Sequence, residues 1–309
     1  MPEQHAICVE KLRAIMDARA GLLASQALRV GLIGRGIQQS RTPKMHEREA
    51  ARLGMDYAYI LVDFDQLELD DAALPALLSA GAALGFQGFN VTHPFKQQIL
   101  PLLDALSDEA AAIGAVNTVV YDRSAAASGK RLTGYNTDCW GFAESFRNGL
   151  AGAPLRNVVQ FGAGGAGAAV AYALMQLGVE NLAIVDSDFS RAQTLAAHMQ
   201  PAWGARVQAA SAIAEGLGSA DGIVNATPIG MAKYPGMPFP ARLLRSDHWV
   251  AEIIYFPEET ELLHAARGLG CRTLAGTGMA IGQAVRAFEL FTGHQSNMAA
   301  MASHFAMAA

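Results

Sequence analysis

Between Val158 and Val179 the chain carries no charged side chain. A stretch of that length can cross a bilayer; otherwise it must be buried in a folded protein. The glycines decide between the two. Gly162, Gly164, Gly165 and Gly167 cluster near its start and divide it into a short strand and a helix. "FGAGGAG" (161–167) fits G-x-G-x-x-G through Gly162, Gly164 and Gly167. After a strand and at the opening of a helix, such glycines permit a tight turn, close backbone approach to a pyrophosphate and close helix–strand packing. The phosphates then meet the free N–H groups of the helix N-terminus. The stretch predicts a buried βα unit that binds a dinucleotide rather than a membrane span.

The next apolar run ends in "AIVDSDFSRA". Asp186 lies 24 residues after Gly162, near the spacing at which an acid bonds the adenosine ribose. A carboxylate there accepts from the ribose hydroxyls and repels a 2′-phosphate, which favours NAD and makes NADP the less expected cofactor. The competing account has Asp186 capping the following helix. Arg191 either binds a phosphate or pairs with Asp186 or Asp188.

Short β-type runs alternate with helical patterns along most of the 309 residues. Strands are expected at 29–34, 57–64, 86–92, 117–122, 131–136, 157–162, 181–186, 222–227, 249–255 and 271–276. Helices are expected at 43–53, 165–178, 190–199, 259–268, 278–291 and 295–307. The loop "RSAAASGK" (123–130) suits a hairpin between two of the strands. The alternation predicts an α/β fold with parallel sheet covered by helices. Two domains follow: an N-terminal α/β substrate-binding and catalytic domain over 1–136, and a Rossmann-type, doubly wound dinucleotide-binding domain over 137–277. The closing helices, within 278–309, are expected to complete the first domain.

Hydrophobic residues make up 51% and charged residues 17%, which excludes a disordered chain. Net charge is −5 and no basic run exists, so no nucleic-acid partner is expected. Cys8, Cys139 and Cys271 lie far apart, form no metal-ligand spacing and cannot all pair, which points to a reducing compartment and to no metal. Glu3, Glu10, Lys11, Arg13 and Asp17 leave no apolar core for a signal peptide. A cytoplasmic protein with no membrane partner is expected.

Four further stretches place polar groups where chemistry needs them. "NVTHPFK" (90–96) ends a strand and puts Asn90, Thr92 and Lys96 close together, although a strand end, a proline turn and a surface lysine would look the same. "SRTP" (40–43) puts the hydroxyls of Ser40 and Thr42 on one side of an extended chain, suited to a carboxylate. The alternative is Thr42 as helix N-cap with Pro43 at the first helical position. "GYNTDCWGF" (134–142) reads as a helix start with Asp138 in its first turn, where a carboxylate also simply complements the helix dipole. Gln283 is a polar residue in an apolar helical stretch, and a surface glutamine is the plain reading. Cys139, beside Asp138, reads as incidental.

In order along the chain, "SRTP", "NVTHPFK", "AVNTV" (115–119), "NTD" (136–138), "GAGGAG", "NATPIGM" (225–231), "YFPEETELL" (255–263) and "GMAIGQA" (278–284) resemble the shikimate dehydrogenase family. The resemblance covers residues 30 to about 293. It implies that Lys96 is the catalytic lysine, with Asp138 as its partner. It implies substrate contacts at Ser40, Thr42, Thr92, Asn117, Tyr255 and Gln283. It implies a cofactor site at Gly162, Gly164, Gly165, Gly167, Asp186, Arg191, Thr227, Met231 and Gly276. The implied chemistry is oxidation of a ring secondary alcohol, with Lys96 taking the hydroxyl proton and Asp138 orienting it. A lysine starts at a pKa of about 10.4. A carboxylate neighbour raises it and burial lowers it.

The chain departs from the biosynthetic members of that family. They usually carry Ser-x-Ser-Pro at the first motif and an Asn-Arg-Thr type sequence after the second Rossmann strand, which suits a 2′-phosphate. Here the sequences are Ser-Arg-Thr-Pro and Val-Asp-Ser-Asp. Both differences resemble the NAD-dependent quinate/shikimate dehydrogenase branch. The expected activity is oxidation of quinate to 3-dehydroquinate, of shikimate to 3-dehydroshikimate, or both, in the catabolism of aromatic-pathway compounds. The alternatives are an NADP-dependent shikimate dehydrogenase, an aminoshikimate-type paralogue and a non-catalytic NAD-binding regulator. The expected assembly is a monomer or homodimer.

Overall fold

The computed structural model describes residues 2–18, 27–122, 131–211 and 217–307. The chain divides into two compact units. One comprises Met1–Ala111, Ala115–Thr137 and Ala284–Ala309; the other comprises Ala112–Gly114 and Asp138–Gln283. The change of unit at Thr137 falls one residue after the junction expected at Asn136, and the return at Ala284 falls six residues after the expected position 278. The loop 123–130 lies outside the described residues.

The first unit is built on a six-stranded sheet of β1 (Leu28–Gly34), β2 (Tyr57–Asp63), β3 (Gly88–Val91), β4 (Ala105–Leu106), β5 (Thr118–Asp122) and β6 (Arg131–Tyr135). Its order is β2-β1-β3-β5-β6-β4. β1 runs parallel to β2 and β3, but β5 is antiparallel to both β3 and β6. The expected parallel sheet is therefore mixed here, with β5 and β6 adding to the edge of β3 as an antiparallel pair.

The apolar runs of β1 and β2 are buried along most of their length, as strands covered on both faces must be. Ile33, Ile60, Val62, Phe64, Phe86, Phe89 and Phe95 form the core, each at 0% exposure. Burial of one such side chain contributes about 1.5–3 kcal/mol. Helix α1 (Pro2–Asp17), in the N-terminal segment that lacked any family motif, adds Cys8 and Leu12 to this core. Their spacing of four puts them on one helix face, against Leu74, Leu77 and Leu78 of α3 (Leu74–Ala83). Ala110 of the short α5 (Asp108–Ile113) joins the same core.

The second unit holds β7 (Asn157–Phe161), β8 (Asn181–Val185), β9 (Val207–Ala209), β10 (Gly222–Asn225), β11 (Trp249–Glu252) and β12 (Arg272–Leu274). All of its pairings are parallel, in the order β12-β11-β10-β7-β8-β9. The chain builds outward from β7 to β9 and then restarts at β10 on the other side of β7. That reversal is the topological switch point, where ligands bind beyond the carboxyl ends of the strands in open α/β sheets. The charge-free stretch 158–179 forms most of β7 and α7 (Gly165–Gln176), and no described helix is long and apolar enough to cross a membrane.

Candidate functional site

In the first unit, the candidate substrate residues gather at the carboxyl ends of β1, β2 and β3. The turn after β1 is shaped by Asp63, the last residue of β2. Its buried carboxylate accepts from Gly36 N, Ile37 N and Gln38 Nε2, each at 3.0 Å, and from Asp65 N at 3.1 Å. Burial pushes the Asp63 carboxyl up, but these hydrogen bonds outweigh burial and leave it below its ordinary value. Asp63 thereby sets the path of the chain into Ser40.

Helix α2 (Thr42–Arg52) starts directly after Arg41, which occupies the N-cap position without a side-chain cap bond. Thr42 is thus the first helical residue and not the cap, and Pro43 is the second. Ser40 Oγ accepts from Thr42 N at 3.4 Å. Between the two hydroxyl residues, the Arg41 guanidinium lies 4.7 Å from the ring centroid of Phe305, on α11 (Met298–Ala306). Helix α11 is clasped to α2 a second time through the buried Glu49. That carboxylate accepts from Ser296 Oγ at 2.8 Å and pairs with His304 Nε2 at 3.3 Å.

Asn90 does not reach outward from "NVTHPFK". It is 4% exposed, and its side chain is engaged inside the unit. Tyr59 Oη donates to Asn90 Oδ1 at 2.7 Å, and Asn90 Nδ2 donates to Thr118 Oγ1 at 2.9 Å. Thr118 Oγ1 donates to Asn117 Oδ1 at 3.1 Å, and Asn117 Nδ2 donates to Thr137 Oγ1 at 2.9 Å. Asn117 Oδ1 also accepts from Thr137 N at 2.7 Å, so it caps the start of α6 (Thr137–Gly149). This chain of side chains fixes the Asn117 amide and the residue that precedes Asp138. Thr92 follows β3 and packs against Gly34, where a Cβ would stand 2.4 Å from Thr92 Cγ2. Lys96 is half-buried on the single-turn helix α4 (Phe95–Gln98), and its carbonyl accepts from Val116 N at 2.8 Å.

In the second unit, Asp138 lies in the first turn of α6 and is 6% exposed. One turn later, Gly141 meets α10 (Thr277–Thr292) at Gly282: a Cβ on Gly282 would stand 2.7 Å from the Gly141 Cα. Only glycine at both positions allows this approach, and it brings Asp138 and Gln283 to the same helix crossing. Gln283 is half-buried and donates to Ala280 O at 3.0 Å. Cys139 is buried and points to Gln176.

The glycine turn has the geometry its sequence demands. Gly162 has φ 101°, a conformation that side chains rarely adopt. A Cβ on Gly167 would stand 2.2 Å from Gly162 O. Gly164 is the N-cap of α7 and Gly165 its first residue. Gln160, fully buried in β7, clamps the turn by donating from Nε2 to Gly162 O and Gly167 O, both at 2.8 Å. The turn fits a pyrophosphate, since glycine at 162 and 167 lets the backbone close tightly at the N-terminus of α7, where free N–H groups can meet phosphate. Asp186 Oδ2 accepts from Ala163 N at 2.8 Å, and Oδ1 accepts from Asp188 N at 3.0 Å. The cap of α8 (Phe189–Trp203) is Asp188, which accepts from Ser190 N at 3.0 Å. Asp186 is therefore not the helix cap. Arg191 extends over the turn, with Nη2 only 3.3 Å from where a Gly164 Cβ would be.

Across the switch point, Ala226 N donates to Phe161 O at 2.7 Å, so the chain after β10 runs beside the glycine turn. Asn225 Oδ1 accepts from Thr227 N at 3.0 Å and Thr227 Oγ1 at 2.7 Å. Met231 is exposed and Tyr255 is half-buried. Gly276 packs against the backbone beside Tyr255, for its Cβ would lie 2.3 Å from Ile253 O.

Sequence reasoning did not single out Asp63, Gln160, Glu252 or Phe305. The first three did leave a signal, being polar residues within or at the end of apolar strands. Their partners lie elsewhere in the chain.

A doubly wound sheet with a glycine turn in the second unit, and hydroxyl, amide and amine groups in the first, define a dinucleotide-dependent dehydrogenase that acts on a secondary alcohol. Residues 32–119 match the shikimate dehydrogenase substrate binding domain, and residues 276–302 match the shikimate 5′-dehydrogenase C-terminal domain. A shikimate dehydrogenase (NADP(+)) of Streptomyces avermitilis is 50% identical over 280 residues, covering 90% of this chain and 94% of that protein. A quinate/shikimate dehydrogenase (NAD(+)) of Corynebacterium glutamicum is 48% identical over 284 residues, covering 91% and 99%. The solved structure of a quinate dehydrogenase from Corynebacterium glutamicum in complex with NAD matches with a TM-score of 0.81 at 47% identity, covering 91% of this chain and 99% of that one. The chain belongs to the shikimate dehydrogenase family.

Proposed function

We propose that this enzyme oxidises the ring alcohol of quinate, of shikimate, or of both, and that NAD is its preferred cofactor. The reaction converts CH–OH to C=O. The carbon loses a hydride and the hydroxyl loses a proton. The bound dinucleotide supplies the hydride acceptor. Lys96 is the group that takes the proton, and Asp138 orients it. Ser40 and Thr42 hold the substrate carboxylate at the start of α2. Thr92, Asn117, Tyr255 and Gln283 hold the ring hydroxyls. The Asn117 amide has one N–H committed to Thr137 and a second with which to donate to the substrate.

The observation that carries the cofactor assignment is Asp186, tied to the glycine turn where a ribose would lie. A carboxylate held there repels a 2′-phosphate. One observation favours a second reading. Arg191 lies over Gly164 and could pair with that phosphate. The two relatives at 50% and 48% identity carry different cofactors in their names, so likeness does not choose between them.

The test is a rate matrix of quinate and shikimate, each with NAD and NADP. NAD-linked turnover of quinate supports the proposal. Turnover of shikimate alone, with NADP preferred, supports the second reading.

A further inference from the structure

Glu252 ends β11 and is 1% exposed. No ion pair reaches it among the described residues. Its Oε2 accepts from Asn225 Nδ2 at 3.0 Å and from Thr260 Oγ1 at 3.2 Å, and its Oε1 accepts from Ile254 N at 3.1 Å. The three donors belong to three segments: the end of β10, the loop after β11, and the N-cap of α9 (Glu261–Gly268).

Asn225 passes this anchorage on. Its Nδ2 also donates to Ile229 O at 2.8 Å, while its Oδ1 receives both the N–H and the hydroxyl of Thr227. Thr227 Oγ1 in turn accepts from Ile229 N at 3.1 Å. The 227–231 loop is therefore folded around Asn225, and Asn225 is held by Glu252. On the other side, Ile254 N leads directly into Tyr255, and the 253–254 backbone is the surface on which Gly276 rests. Thr227, Met231, Tyr255 and Gly276 all ride on segments that meet at one buried carboxylate.

We propose that Glu252 is a positioning residue whose carboxylate locks the 227–231 and 253–256 loops together in the geometry that receives the nicotinamide end of the dinucleotide. This rests on the dinucleotide-dependent reading above. A carboxylate suits the task because all three neighbours are donors, and only an ionised carboxyl accepts from all of them without offering a proton. Burial opposes ionisation and pushes the Glu252 carboxyl up to about 7, with the hydrogen bonds from Asn225, Ile254, Thr260 and Ile253 acting the other way.

The charged groups of the neighbouring elements are engaged elsewhere or are no source of the shift. Arg272 of β12 donates to Ala151 O, and Arg267 of α9 pairs with Glu259. Glu261 accepts from Gly236 N, and His264 lies beside Glu259. Glu258 and Tyr255 complete the set, and the shift comes chiefly from burial rather than from these groups. The lock is thus fully set above neutral pH and loosens as Glu252 takes up a proton below it.

The test compares wild type and Glu252→Gln. The readouts are NADH affinity by nucleotide fluorescence and the split between KM and kcat, from pH 6 to 9. The glutamine of the variant would turn an N–H towards Asn225 or Thr260 and set donor against donor. We expect NADH affinity to fall about tenfold and the KM for NAD to rise with it, while kcat changes less than threefold. The rise in KM below neutral pH should vanish in the variant. Affinity and pH dependence equal to wild type in Glu252→Gln would overturn the proposal. If Glu252→Gln does not fold, Thr260→Val removes one of the three donors, and unchanged NADH affinity in that variant overturns it equally. Wild type that neither binds NADH nor turns over quinate or shikimate would instead overturn the dinucleotide-dependent reading.

Discussion

Asp186 accepts a hydrogen bond from the backbone N–H of Ala163 at 2.8 Å, so the acid that follows β8 is tied to the glycine turn that follows β7. Its position is set by the turn, and the turn is partly set by it. Wild type should use NAD more efficiently than NADP. Asp186→Ser should weaken NAD use, both by losing ribose acceptors and by loosening Ala163, and should narrow the preference by relieving repulsion of a 2′-phosphate. The check is kcat/KM with each dinucleotide at equal low concentration. Faster wild-type turnover with NADP would show that Arg191 governs the site.

Lys96 and Asp138 should behave as a unit. Lys96→Ala and Asp138→Asn should each lower kcat by about 10²-fold or more, the usual scale for acid–base residues. Fold and NADH affinity should survive. The double variant should be little worse than the worse single, as groups serving one step are not additive. Steady-state kinetics on the four proteins measures this, and near-normal kcat in Lys96→Ala would exclude the lysine as proton acceptor.

Thr42 is the first residue of α2, next to an Arg41 held over the Phe305 ring. Quinate and shikimate differ beside the carboxylate that Ser40 and Thr42 are proposed to bind. Threonine keeps the hydroxyl of serine but adds a methyl that restricts χ1. One methyl in a pocket is worth about 1–3 kcal/mol, or roughly 10–200-fold. Both substrates should be accepted by wild type, and Thr42→Ser should move the kcat/KM ratio towards shikimate with cofactor preference unchanged. An unmoved ratio would take Thr42 out of substrate choice.

His46 lies on α2 at 0% exposure, with Nδ1 3.0 Å from Tyr57 Oη and its ring among Tyr59, Phe288 and Phe291. Burial lowers its pKa from 6.5 to about 3. The folded state therefore binds fewer protons than the unfolded state over that interval. Stability due to neutral His46 is complete above pH 6.5 and is lost as pH falls towards 3. The whole loss is on the order of 5 kcal/mol. His46→Leu should be less acid-sensitive, so its stability relative to wild type should improve steadily from pH 7 to pH 4. Urea unfolding across that range tests this, and parallel pH profiles would refute it.

The sequence by itself determined the elements whose constraint is local. The glycine turn was legible because a φ of 101° at Gly162 and a 2.2 Å approach at Gly167 each exclude a side chain, and that exclusion is written at the residue itself. Asp138 in the first turn of α6, and the strands that lead into Thr92 and Asp186, were legible for the same reason: hydrophobic period and turn chemistry act over a few residues.

Only the tertiary structure decided what polar residues inside apolar runs are for. Asn90 read as one of a close group with Thr92 and Lys96, but its side chain is an interior link between Tyr59 and Thr118. Asn117 caps a helix that begins 20 residues later. Glu252 gathers donors from Asn225 and Thr260, which only the packing of β10, β11 and α9 brings together. The reversal of β5 against β3, and the docking of α1 through Cys8 and Leu12, arise in the same way. A buried polar group must find a partner wherever the fold supplies one. The residue announces the need, and the partner is chosen by contacts that sequence distance does not encode.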